Sequence, residues 1–114
     1  MNNPKFTSSF KKKATLSEPD KLIFEQIQRK RLQMLIWSRM YYMLDVSIVS
    51  DSDWSKVAQE LKELQETYPK VSKIVCYAND FKDWEGSTGA DLTLDDEWVR
   101  DKTEYLLTIM KEIK

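Results

Sequence analysis

A chain of 114 residues with 41% hydrophobic and 32% charged side chains suits one domain with a modest core, and is too apolar to remain disordered. Two glycines and three prolines leave few sites for tight reversals, which excludes a many-turned β fold and favours long helices. The formal net charge of −1 conceals an uneven layout: residues 1–13 hold four lysines and no acid, whereas residues 80–97 hold seven acids and one lysine.

Residues 1–16 mix Asn, Ser, Thr and Lys with two isolated Phe and show no period. They are expected to form a flexible basic tail before a single helical domain over 17–114. The Lys11-Lys12-Lys13 triplet is a small footprint for nucleic acid and fits a solvated tail.

Ser17 is a good N-cap, with Pro19 and Asp20 in the first turn, and a helical pattern then runs to about Leu44. Phe24, Ile27, Met34 and Leu35 lie near one stripe. Leu32, Ile36, Met40 and Met43 widen it, so two sides of this helix are expected to meet other elements. Trp37 and Tyr41 share the i,i+4 relation that brings side chains together.

The segment Asp45-Val-Ser-Ile-Val-Ser50 breaks the period, and Ser50 with Asp53 three positions on makes a variant of the capping box. Trp54, Val57, Ala58, Leu61, Leu64 and Tyr68 follow helical spacing until Pro69 stops the run. With about six residues between them, the two helices are expected to pair as an antiparallel hairpin.

Residues 71–78 (VSKIVCYA) are short, apolar and β-branched. A strand here has no visible partner, so an extended connection packed on the hairpin is expected. Both glycines, Gly86 and Gly89, fall in the acidic loop that follows. Thr93 is placed to cap a last helix reaching about Ile113, with Val99, Leu106, Met110 and Ile113 along its apolar stripe packed on the hairpin. The fold class is therefore mainly α.

Chemistry is constrained by what the chain lacks. Without histidine there is no ready general base and no common transition-metal ligand, and the lone Cys76 sits in an apolar run as a structural thiol. The acids around Gly86 and Gly89 miss the spacing of a calcium loop, and Glu85-Gly-Ser-Thr-Gly-Ala90 lacks the lysine of a phosphate loop. The chain is accordingly expected to bind rather than to catalyse. No apolar run approaches the ~20 residues of a membrane span, and a polar stretch follows the basic start, which together point to a cytoplasmic protein without membrane association.

The remaining constellation is the corner between the first two helices, where Tyr41, Tyr42, Asp45, Asp51, Asp53 and Trp54 gather. Aromatic faces beside carboxylates suit a flat cationic or amide-bearing ligand. The same pattern also fits an ordinary corner with aromatics in the core and acids capping the second helix.

The stretch MYYMLDVSIVSDSDWSKVAQELKELQETYP resembles the N-terminal helical subdomain of bacterial NAD-dependent DNA ligases, in its Tyr-rich helix end, its Asp-bearing turn, its Leu-rich helix and its terminal Pro. The likeness covers about residues 28–69. In that family the subdomain grips the nicotinamide mononucleotide (NMN) half of NAD while a separate domain performs adenylation, and no Lys-x-Asp-Gly motif for that domain occurs here. The resemblance implies that Tyr41 stacks on nicotinamide and that Asp51 is the first aspartate of the turn. Tyr42 stands where the family usually has His, Trp54 replaces the second stacking Tyr, and Ser55 replaces the second Asp. The whole chain is similar to short stand-alone bacterial and phage proteins related to these ligases.

Two roles follow as expectations. The first is a non-catalytic module that binds NMN, NAD or a related nucleotide through Tyr41, Tyr42, Asp51 and Trp54. The second is a phage-borne module that modulates a host nucleic-acid enzyme or defence nuclease, with Asp83, Glu85 and Asp91 on an acidic surface contacting the host protein. Direct binding to nucleic acid is disfavoured, because that acidic surface repels phosphates.

Overall fold

The computed structural model describes the backbone of residues 4–113 and the side chains of residues 6–111. Among the described residues there are six helices and no strand: α1 (Pro4–Lys13), α2 (Glu18–Met43), α3 (Asp51–Thr67), α4 (Pro69–Ile74), α5 (Ala78–Phe81) and α6 (Glu97–Ile113). None is long and apolar enough to cross a membrane.

The 26-residue α2 is the axis of the fold. It starts where the Ser17 side chain accepts from the Asp20 amide, with Glu18 and Asp20 favourably placed against the positive end of the helix. Phe24, Ile27, Met34, Leu35 and Met40 are all fully buried along it. Burial is nearly continuous from Met34 to Met40 because α3 packs on one flank and α6 on another, as the widened apolar stripe requires.

Ser50 caps α3, accepting from the Asp53 amide at 3.1 Å, and α3 folds back along α2. Its direction is fixed by cross-helix pairs: Lys30 meets Glu60 and Arg31 meets Gln65, while Tyr41 shares a pocket with Trp54 at the opposite end. Ala58 and Leu61 are the fully buried residues of its apolar face.

Three segments depart from the sequence reading. The stretch expected as a flexible tail contains α1, with residues 1–3 of it lying outside the described residues. Phe6 supplies the anchor, with its ring 5.9 Å from Tyr77 and 5.2 Å from Trp98, and Lys13 closes the other end by an ion pair of 2.7 Å with Glu25. A single anchoring ring and one ion pair leave no period to detect. The segment expected as extended over 71–78 is instead the short α4, a turn, and the start of α5. Pro69, which ends α3, is also pre-set for the first position of a new helix, and Val71 and Val75 then lie one helical turn apart facing the core. The last helix begins at Glu97, not after Thr93. Leu92 and Leu94 both turn into the core at alternate positions, the Thr93 amide donates to the Asp80 carboxylate, and Asp96 takes the capping role by accepting from the Val99 amide. Of the stripe read on this helix, Val99 is fully buried and Leu106 and Met110 are half-buried, while the side chain of Ile113 lies outside the described residues.

Cys76 is a buried thiol in no disulfide, beside Tyr77, which adopts a left-handed backbone conformation (φ 64°) between α4 and α5. The Tyr77 hydroxyl donates to Asp96 at 2.6 Å, tying this turn to the start of α6. Burial, then the bond to Asp96, pushes the phenol well above the ordinary tyrosine value of 10.0. A raised folded-state value means that Tyr77 contributes stability that is whole below pH 10.0 and is lost as pH rises above it, where the unfolded chain ionises and the folded one resists. Tyr77→Phe is therefore expected to cost about 1–2 kcal/mol at pH 7 and to flatten the fall in stability above that pH, as read by urea melts across the alkaline range.

Candidate functional site

The corner is built by two helix ends. α2 stops as the Met40 carbonyl accepts from both the Leu44 and Val46 amides, and Asp45 takes a left-handed conformation (φ 54°) that aspartate tolerates better than most residues. Residues 44–50 then cross to Ser50, with the Ser47 hydroxyl bonded to the Val49 carbonyl. This short crossing exposes the last turn of α2 beside the first turn of α3.

Between them lies an open pocket of about 270 Å³. One wall is the α2 face bearing Trp37, Tyr41 and Tyr42; the opposite side presents Asp51, Trp54 and Ser55 from the first turns of α3. Ser47, Ile48 and Val49 close the end. Tyr41 and Tyr42 meet edge to face, with centroids 4.9 Å apart and planes at 87°, so each ring steadies the other. Both nevertheless remain about half exposed, at 54% and 46%, which leaves part of each ring open to a ligand.

A third wall comes from the glycine-bearing loop. Ser87 lines the pocket, Thr88 shares a 2.8 Å hydrogen bond with the Tyr42 hydroxyl, and the Trp84 indole donates to the Thr88 carbonyl at 2.7 Å. Trp84 in turn packs edge-on against both Trp54 and Phe81. Gly89 lets this loop approach: a β-carbon there would collide with the Ser38 side chain and lie 3.4 Å from Trp54. Gly86, at φ 81°, supplies the left-handed turn that starts the approach. Because Ser38 is fully buried and cannot swing away freely, Gly89→Ala is expected to cost about 1–3 kcal/mol and to loosen the Tyr42–Thr88 contact. Thermal melts, and the Tyr42 hydroxyl environment followed by NMR, would register both.

All four residues expected to bind a ligand, Tyr41, Tyr42, Asp51 and Trp54, line this one pocket, together with Ser55. Asp45 and Asp53 do not line it; one occupies the turn and the other the exposed first turn of α3. Trp37, one helical turn before Tyr41, joins the wall as their spacing implies, whereas Ser87 arrives from more than thirty residues away and carried no signal in the sequence.

Asp83, Glu85 and Asp91, read as partner-binding, lie with Asp80 and Trp84 along a second groove of about 340 Å³, which shares Ser87 with the corner pocket. Among the described residues no group of three or more His, Cys, Asp or Glu side chains is arranged to hold a metal ion.

Fold and corner together define a small helical module that includes a region similar to DNA ligase. Over 48 residues the chain is 38% identical to a DNA ligase of Syntrophomonas wolfei, a stretch that amounts to 42% of this chain and 7% of the ligase. The chain thus spans only a small fraction of that enzyme's length. No family model matches the chain, and no solved structure matches it.

Proposed function

We propose that this protein is a non-catalytic binding module whose corner pocket takes a nicotinamide-bearing ligand such as NMN or the corresponding half of NAD. The observation behind this reading is that Tyr41 and Trp54 stand on opposite sides of an open cleft instead of filling it, with Asp51 at its edge. A pyridinium ring between them gains stacking and cation–π attraction, and Asp51 supplies a countercharge or an acceptor for the carboxamide. At about 270 Å³ the cleft matches one ring with its sugar and leaves no room for a whole dinucleotide, whose adenylate half would project into solvent. The partial similarity to a DNA ligase agrees with a ligase-related module. Calorimetric titration with NMN and NAD tests it: heat with one site per chain is expected, and none with ligand at about 1 mM would refute it.

The acidic groove favours a second reading, that of a phage-borne module acting on a host nucleic-acid enzyme. Asp80, Asp83, Glu85 and Asp91 along a single groove present a row of negative charge of the kind that phosphates offer. A silent nucleotide titration would turn attention to this face.

A further inference from the structure

We propose that the corner pocket selects a positively charged, phosphate-free nicotinamide nucleoside over its phosphorylated form. The inference rests on the nicotinamide reading above and adds the charge class of the ligand. Three aromatic side chains of α2 and Trp54 of α3 surround the space, and Asp51 is the single charged residue among the described residues that line it; no lysine or arginine does. A phosphate at neutral pH bears close to two negative charges and needs basic partners or free amides. Arg39, on the same helix, does not line the pocket; its Nη1 donates to the Leu94 carbonyl at 2.7 Å and pairs with Asp95 at 3.5 Å.

The one feature that would welcome a phosphate is the N-terminus of α3, which opens onto the pocket. One of its amides is already used, that of Asp53 donating to the Ser50 side chain, and Asp51 and Asp53 place two carboxylates against the positive end of the helix. An incoming phosphate therefore meets like charge where a cation meets an aromatic box with a carboxylate at its rim. Ser47, Ser55 and Ser87 remain as neutral partners for ribose hydroxyls.

The test is a set of calorimetric titrations with nicotinamide riboside, NMN and uncharged nicotinamide, run on the wild-type chain and on D51N. Asp51 is exposed and the Ser50 cap is untouched in that variant, so far-UV circular dichroism is expected to be unchanged. Riboside is expected to bind tightest, NMN about three- to fivefold more weakly, and D51N to close that gap. NMN binding as tightly as riboside, or more tightly, would overturn the selection and leave the nicotinamide reading standing. Riboside binding no better than nicotinamide would equally overturn it. Silence from all three ligands would overturn both readings.

Discussion

Replacing Arg31 by alanine is expected to destabilise the protein by about 3 kcal/mol or more and to lower its melting temperature by on the order of 10–15 °C. Arg31 is only 1% exposed yet has no buried carboxylate partner; its guanidinium spends all of its donors on neutral acceptors. Nε donates to Gln65 on α3 at 2.8 Å, Nη1 to the carbonyls of Val75 and Cys76, and Nη2 to the carbonyl and hydroxyl of Ser72. The Phe81 ring lies 5.6 Å below it. Burial draws its pKa down to about 10, so it remains charged at neutral pH and the five bonds offset its desolvation. Deleting it orphans the carbonyls at the end of α4, each costing about 1–3 kcal/mol where water cannot reach them. Against a total stability of roughly 5–15 kcal/mol, that is a large share. Arg31→Lys is expected to recover only part of the loss, since an ammonium cannot span acceptors on three segments. Circular dichroism melts of both variants would check the order; a melting temperature unchanged in Arg31→Ala would show that these bonds add nothing net.

Tyr41→Ala is expected to do the reverse, removing ligand binding while sparing the fold. The ring is 54% exposed and its packing partner is the equally accessible Tyr42, so its truncation leaves no buried cavity. Stacking of a flat ring on an aromatic face is worth about 1–3 kcal/mol by alanine substitution, which corresponds to roughly 10- to 100-fold in affinity. The melting temperature should stay within a few degrees of wild type. Trp54 is a poorer probe of the same wall, because it also supports Trp84 and contacts near Gly89, and its loss would disturb fold and binding together. A Tyr41→Ala protein that binds NMN as tightly as wild type would remove the tyrosine from the site.

The hairpin was legible because each of its signals is local. Ser17 and Ser50 cap their helices as their spacing to Asp20 and Asp53 implies, and the apolar positions from Phe24 to Leu64 repeat at helical intervals over many turns. The four corner residues converge for the same reason, since a short crossing must bring the end of α2 beside the start of α3. What escaped depends on distant partners. β-branched residues in 71–78 look extended until a core is present to receive Val71 and Val75 from a helix. Phe6 orders α1 only by reaching Tyr77 and Trp98, about seventy and ninety residues on. Thr93 is a sound cap by type, yet the pull of Leu92 and Leu94 into the core delays α6 to Asp96. Ser87 enters the pocket through Gly89 lying against Ser38, a close approach that no spacing rule encodes.

The residues that bind can be read directly from amide and indole resonances of the 15N-labelled protein as NMN is added. The tryptophan indoles distinguish the two ends of the fold: Trp37 and Trp54 line the corner, whereas Trp98 packs against Phe6. Saturable shifts of the Trp37 and Trp54 indoles and of amides from Tyr41 to Ser55, with Trp98 unmoved, are the expected result. Shifts confined to residues 80–92, or none at all, would contradict the corner pocket as a nicotinamide site.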